Sequence, residues 1–477
     1  MATSTAAPPS TGLAKASMSP FEVLSQSVAG IAPSAVMATG PALVALNAGS
    51  SLLYSYVFST IILLMVGWCI AQFAKRRGTG TTLLSYIHRA LGPFAGFVGA
   101  ICLAFGYVMI GLASLGGLVL YTQPLLDLVK VPGATSIGVS VVVMVVAMAL
   151  ASFSMVRGVQ ISTRIGVVLE VLSVLCILAV IVAVLATSGF SSAPLSPPEL
   201  SASGVAGGMV LAILGYVGFE SAANMGTEAS NPQRTIPRAV IGSVVIVGLL
   251  YLLSGYAQLV GLGSGEALAV DAAPFNTLAD GAGVHALGYV VDLGAVASFF
   301  ACITGSLNAA SRLLHSMGSR GLLPRVVGGT HVDHRTPHVA ILTLAGLLGV
   351  LGVVATIFGM EPILLFALAG TIGTYGYMVA YILVTAGLGL FLMRRSEPAT
   401  AAYVVGAIAT LGMLYVLYRN VFPIPAAPYT SLPFAFAGVV VAAATWFVVV
   451  HTRGDVDPLQ ADDELHGVEA DLAAEPA

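Results

Sequence analysis

The chain has 477 residues, of which 57% are hydrophobic and 8% charged, against roughly 25% charged in an ordinary soluble domain. A water-soluble fold of this size would lack a polar skin, and a net charge of −3 without basic patches gives no support to nucleic acid as a partner. Apolar runs such as SIGVSVVVMVVAMALASF and VLEVLSVLCILAVIVAVLA match the ~20 residues with which an α-helix crosses ~30 Å of hydrocarbon. They do not alternate as the strands of a membrane barrel would.

The first residues, MATSTAAPPSTGLAKASMSP, lack the charged-then-apolar order of a signal peptide and predict a disordered cytoplasmic tail over 1–20. Twelve apolar spans follow, at 21–47, 51–74, 93–122, 134–155, 160–187, 203–226, 238–261, 284–314, 338–359, 361–393, 400–418 and 431–451. The end, 454–477, carries Asp455, Asp457, Asp462, Asp463, Glu464, Glu469, Asp471 and Glu475 with no Lys or Arg, so a solvated acidic tail is expected there. Cys69, Cys102, Cys176 and Cys302 all lie inside apolar runs and read as small packing residues rather than disulfide partners.

An even span count puts both termini on one side, and positive residues stay with cytoplasmic loops. With the N-terminus inside, Lys15, Lys75, Arg76, Arg77, Arg89, Arg157, Arg164, Arg234, Arg238, Arg312, Arg320, Arg325, Arg335, Arg394, Arg395 and Arg453 are cytoplasmic, and only Lys130 and Arg419 fall outside. The expected location is therefore the plasma membrane, multi-pass, with both termini cytoplasmic.

Two spans contain helix breakers. The first holds AGIAPSAVMATGP, where Pro33 removes a backbone donor and clashes with the preceding turn. The sixth holds LAILGYVGFESAANMG, where Gly215, Gly218 and the carboxylate of Glu220 interrupt an apolar run. Non-helical backbone at bilayer depth survives only against protein or a water-filled cavity, so interruptions in matching positions of two halves point to a midplane binding site. The offset of about five spans predicts an all-α fold of two inverted five-span repeats, 21–187 and 203–393, with two further helices over 400–451. Gly and Pro are also common in membrane helices for packing alone, and the intramembrane acid is what favours function over packing.

These residues carry a resemblance to a known group. GYVGFESAANMGTEASNPQRTIPRAV is similar to the sixth-helix signature of the amino acid–polyamine–organocation permeases, here as Gly218-Phe219-Glu220, Glu228, Asn231-Pro232 and Ile236-Pro237-Arg238. SRLLHSMGSRGLLP resembles that group's end of helix 8, and RRGTGTTLLSYIHRALGPFAGFVG its passage from helix 2 to helix 3. The resemblance implies a permease working by alternating access, with substrate held at the two breaks by Ala32, Pro33, Ser34, Ala35, Val217, Gly218 and Phe219, and with Ser306 as a further substrate-binding candidate. Tyr107 and Tyr216 resemble aromatic residues that line or gate substrate in the group. One departure stands out: many amino acid carriers of the group have a Gly-Ser-Gly type break in helix 1, where this chain has Pro33-Ser34-Ala35. Pro33 has no N–H to offer a carboxylate, while Ser34 keeps an N–H and a hydroxyl.

Glu220, Glu170 and Asp292 are the acids well inside spans, and each is a candidate to carry a coupling proton, with a structural bond to a neighbouring helix as the plain alternative. Some cationic amino acid carriers of the group have a coupling Lys in helix 5, and Ser173 stands there. Sodium coupling is the competing expectation, with Ser173, Thr304 and Ser306 as oxygen ligands, although such hydroxyls commonly bond to their own helix. His331, His334 and His338 have the spacing of a metal site but sit in an Arg-containing loop without Cys, so no metal is expected. GLGSGEAL resembles a nucleotide loop only loosely and lacks a Walker lysine. The expected function is proton-coupled transport of an amino acid or small amine, without cofactor or enzymatic activity. A K⁺ or Na⁺ carrier or channel on the same fold is the alternative, and a membrane enzyme built on HVDHRTPH is the third.

Overall fold

The computed structural model describes residues 19–76, 83–157, 159–197, 200–225, 229–271, 273–319, 321–330 and 336–452. Residues 1–18 of the expected N-terminal tail, the expected C-terminal tail, Glu228 of the sixth-span motif, and His331 and His334 lie outside them, while Ser19 caps α1 and Pro20 opens it. Helices run in the order α1 (Pro20–Ile31), α2 (Pro33–Ala48), α3 (Leu52–Arg76), α4 (Leu83–Leu91), α5 (Pro93–Leu128), α6 (Ile137–Arg157), α7 (Val159–Ser188) and α8 (Ala202–Leu214). A 3₁₀ segment (Phe219–Met225) follows, and then α9 (Pro232–Leu262), α10 (Gly265–Ala269), α11 (Pro274–Gly281) and α12 (His285–Ser319). The chain continues with α13 (His338–Ile357), α14 (Pro362–Arg394), α15 (Thr400–Val421) and α16 (Leu432–Thr452).

Among the described residues, ten helical stretches are long and apolar enough to cross a membrane, the first running from Pro33 through a 3₁₀ turn to Arg76. The protein is a multi-pass membrane protein. Its long helices lie where the apolar runs place them. Three short helices were not foreseen: α4, whose Leu83, Leu84 and Ile87 are buried, and α10 and α11 in the loop after α9. All three are too short or too polar to register as spans.

The centre of the bundle is α5, which packs along its length against α14 and α12. Its glycines Gly106, Gly111, Gly116 and Gly117 sit under Tyr377, Leu348, Pro362 and Phe299, so side chains from three helices reach its axis. Outward faces are apolar instead of charged: Val145, Leu150 and Phe153 on α6, Leu347 and Val350 on α13, and Ile408 and Leu411 on α15 are exposed. Such faces suit lipid tails, where a charged side chain would cost about 2.5–3.5 kcal/mol on insertion scales.

Candidate functional site

The first span breaks at one residue. Ala32 takes a left-handed conformation (φ 53°, ψ 61°), after which Pro33 opens α2. Proline suits that first position because its φ is preset and its missing N–H would be unbonded anyway. A left-handed alanine costs about 1–2 kcal/mol, which the surrounding packing must offset. The sequence reading placed Ala32 through Ala35 outside helical geometry; Pro33, Ser34 and Ala35 instead form the first turn of α2, because proline initiates helices as readily as it ends them.

The consequence lies in the orphan donors of that turn. Pro33 has none, and Val36 N–H already bonds to Ala32 O at 3.1 Å. Ser34 N–H donates to Glu170 Oε1 of α7 at 2.6 Å, and Ala35 N–H to Ser298 Oγ of α12 at 3.4 Å. The amide end of α2, which carries partial positive charge, is thus filled by the chain's own side chains. Farther along α2, Pro41 cannot bond to Met37 O, and that carbonyl takes Ser254 Oγ and Gln258 Nε2 of α9, each at 2.8 Å. The same residue type frees one carbonyl at depth and α9 supplies two donors for it.

The second break lies alongside the first. α8 ends at Leu214, a turn spans 215–218, and the 3₁₀ segment continues the chain. Gly218 has φ 104° and lies against Gly30 at the end of α1, where a Cβ would come within 2.7 Å of Gly30 O. Only glycine fits both the angle and the approach. Ser27 Oγ of α1 reaches across to Phe219 O at 3.1 Å, Tyr251 OH of α9 takes Gly215 O at 2.6 Å, and Cys302 Sγ of α12 donates to Gly30 O at 3.4 Å.

Glu220 is fully buried at this junction. Its Oε1 accepts from Tyr107 OH of α5 at 2.6 Å, and its Oε2 from Tyr381 OH of α14 at 2.5 Å and from Gly218 N–H at 3.1 Å. Tyr377 stands edge-on to Tyr107, with ring centroids 5.2 Å apart, and Phe219 packs beside Tyr381 at 5.4 Å. The carboxylate therefore joins the broken segment to two helices of the central core.

The other sequence candidates distribute around the breaks. Val217 is buried in the turn. Tyr216 faces α3 and α9: its hydroxyl pairs with Thr60 Oγ1 at 2.6 Å and its ring meets Tyr251 edge-on. Ser306 lies one turn beyond Cys302, with Oγ 3.8 Å from Sγ. Thr304 bonds back to Phe300 O and Ala301 O of its own helix, and Ser173 packs against Gly294. Asp292 accepts from Asn276 Nδ2 at 2.9 Å, away from both breaks. His338 opens α13, and among the described residues no group of three or more His, Cys, Asp or Glu side chains is placed to hold a metal.

Sequence reasoning missed Ser298, Cys302, Tyr251, Tyr377 and Tyr381. A signal existed for most of them. Ser298, Cys302 and Ser306 recur every fourth residue on α12, and Tyr377 and Tyr381 do so on α14, so each set occupies one helix face.

A family model described as amino acid permease matches residues 21–444. The chain belongs to the amino acid permease family. The sequence resemblance to amino acid–polyamine–organocation permeases agrees with this match. Among similar proteins, a branched-chain amino acid permease of Lactococcus lactis subsp. cremoris is 28% identical over 396 residues, covering 78% of this chain and 82% of its own. A branched-chain amino acid permease of Bacillus subtilis is 22% identical over 377 residues, covering 74% and 76%. The serine/threonine exchanger of Bacillus subtilis is 25% identical over 300 residues, covering 61% and 65%. All three relatives are transporters, as is the permease family as a whole.

Proposed function

We propose that the permease carries amino acids or related small amines across the plasma membrane by alternating access, coupled to protons, with substrate held between the two breaks. Twelve crossings in two inverted repeats, with both termini cytoplasmic, complete this reading. The observation that carries it is the close approach of the two interruptions, Gly218 lying against Gly30 and Ile31 just before the left-handed Ala32, with the polar backbone of both breaks bonded by side chains from neighbouring helices. Polar side chains from α1, α5, α7, α12 and α14 converge there.

The charge balance favours a cationic or zwitterionic solute with a coupling cation. Glu170, Glu220 and Asp292 are buried, and among the described residues no Lys or Arg is. Buried charges in a membrane interior need partners, and an ammonium group or a proton supplies them. The candidates for coupling are Glu170 and Glu220, with Ser173 and Thr304 as the oxygen ligands of a sodium-coupled variant of the same scheme. The relatives named above for branched-chain amino acids and for serine and threonine put neutral amino acids first among substrates to try.

The test is uptake of labelled amino acids and amines into proteoliposomes with and without an inward pH gradient. Accumulation of at least one amino acid, stimulated by the gradient, is expected. If folded protein accumulates no amino acid or amine under either condition, the reading fails.

A further inference from the structure

We infer that the Glu170 side chain is a built-in occupant of the substrate-carboxylate position, so that an amino acid enters the site only together with a proton delivered to Glu170. This rests on the transport reading above and assigns it a specific exchange.

The geometry leaves little room for another arrangement. The first turn of α2 has only two amides to offer, Ser34 N–H and Ala35 N–H, because Pro33 has none and Val36 N–H is used. The better of the two points at Glu170 Oε1 at 2.6 Å, and the other is held by Ser298 Oγ at 3.4 Å. A substrate carboxylate that uses this helix end must take the place of the Glu170 carboxylate. Two carboxylates cannot share one buried amide while both are ionised, since like charges at hydrogen-bond distance exclude each other. A proton on Glu170 removes the conflict and leaves it able to donate to its successor.

The surroundings are prepared for a second ligand. Glu170 Oε2 and Ser34 Oγ are buried without a well-formed hydrogen bond among the described residues, and the hydroxyls of Ser34 and Ser298 stand beside the Glu170 carboxyl. Unbonded buried polar atoms are uncommon and costly in native folds, and these two lie at the same helix end. Each is placed to bond an arriving carboxylate or carboxylic acid.

Few other titratable groups bear on Glu170. Tyr251 of α9 and Cys302 of α12 are within electrostatic reach. No ionisable side chain lies on α2, and α1 carries Glu22 in its first turn, bonded to Ser19. The described side chains of α6 include none, α7 itself adds Cys176, and α11 meets α7 near Val184 with its Asp280 paired to His285. Asp292 of α12 is bonded by Asn276. Among the described residues no buried Lys or Arg is present to neutralise Glu170, and in this scheme the proton takes that role.

The experiment is isothermal titration of purified permease with each of the twenty standard amino acids, repeated in two buffers of different protonation enthalpy. For an amino acid that binds, the expected uptake is about one proton per molecule bound, with Kd rising up to about tenfold per pH unit once Glu170 is ionised in the free protein. In Glu170→Gln, which keeps an acceptor for Ser34 N–H but cannot be protonated, proton uptake falls to zero and Kd loses its pH dependence. Glu170→Asp, which retracts the carboxylate by one methylene, lowers the proton number below that of wild type. A merely structural Glu170 leaves the proton number unmoved in both variants. Binding to the wild type without proton uptake overturns this role alone, as does an unchanged proton number in either folded variant. Failure of all twenty to bind overturns the amino acid reading of the substrate and this inference with it.

Discussion

Replacing Glu220 by Gln separates its chemistry from its packing. The two side chains have the same shape, and the tyrosine hydroxyls around Glu220 can reorient, so the amide can be accommodated. With its oxygen at the Oε2 position it still accepts from Tyr381 OH and Gly218 N–H, and its NH₂ faces Tyr107 OH, which can turn to accept. What changes is bond strength. Hydrogen bonds to an ionised acceptor contribute about 1.5–3 kcal/mol against about 0.5–1.5 for neutral pairs, so three contacts weaken by about 3–4.5 kcal/mol in total. Part of this is offset because a charge no longer has to be buried. The fold, which has a large apolar core elsewhere, is expected to survive with a modest drop in unfolding temperature. Transport responds more sharply if the cage is assembled in one of the two alternating states and open in the other. A bias of about 1.4 kcal/mol then shifts that equilibrium tenfold. Uptake into proteoliposomes is expected to fall tenfold or more, with thermal unfolding and size-exclusion behaviour near wild type. Uptake within twofold of wild type would remove Glu220 from the mechanism, and an unfolded variant would make it purely architectural.

Three further outcomes follow from single contacts. Gly218→Ala forces φ 104° on a residue with a Cβ only 2.7 Å from Gly30 O, so it is expected to destabilise by at least the ~1–2 kcal/mol of a left-handed alanine and to abolish uptake; a thermal melt matching wild type would contradict the close approach. Removing either donor to Met37 O, as Ser254→Ala or Gln258→Leu, leaves the other in place and is expected to cost about 1 kcal/mol, whereas the double variant orphans a buried carbonyl and costs more than the sum; a double-mutant cycle on thermal stability reads the difference. At the α14–α15 loop, Glu397 bonds to Arg395 and to Arg76 at the end of α3, and these cations hold its carboxyl below the usual range. A depressed folded pKa means the contribution is fully present above the ordinary value near ~4.3 and is lost as pH falls through the lower folded value. Wild type and Glu397→Gln are therefore expected to differ by a constant amount of thermal stability from pH 8 to pH 5 and to converge only in stronger acid.

The long helices were legible because hydrocarbon imposes one requirement, a run of about 20 apolar residues, that sequence displays directly. The breaks were legible too, since Pro33 lacks the N–H of a continuous helix and Gly218 stands two residues from the intramembrane acid Glu220. Their detail was not. Whether Pro33 ends one helix or begins the next depends on where Ala32 turns, and that is settled by partners on α7 and α12 more than 130 positions away. Glu220 was a functional candidate from its depth alone, but its partners Tyr107 and Tyr381 come from helices separated by most of the chain. Pairings of that kind follow from packing, which no local pattern encodes. The serine and cysteine stripe on α12 was within reach, had polar residues been tested for helical spacing as apolar ones were.

The two buried acids differ in a way that sorts their roles. Glu220 uses both oxygens, with three donors from α5, α14 and its own turn, so moving it breaks bonds that nothing else replaces. Glu170 uses one oxygen and leaves the other without a well-formed hydrogen bond, and the hydroxyl of Ser34 beside it also lacks one. A group that exchanges partners during a transport cycle needs such spare bonding capacity, because the incoming ligand must be bound before the outgoing one is released. In the proposed cycle Glu220 anchors the second break on the central core, and Glu170 is the side chain that trades an amide for a proton at the first.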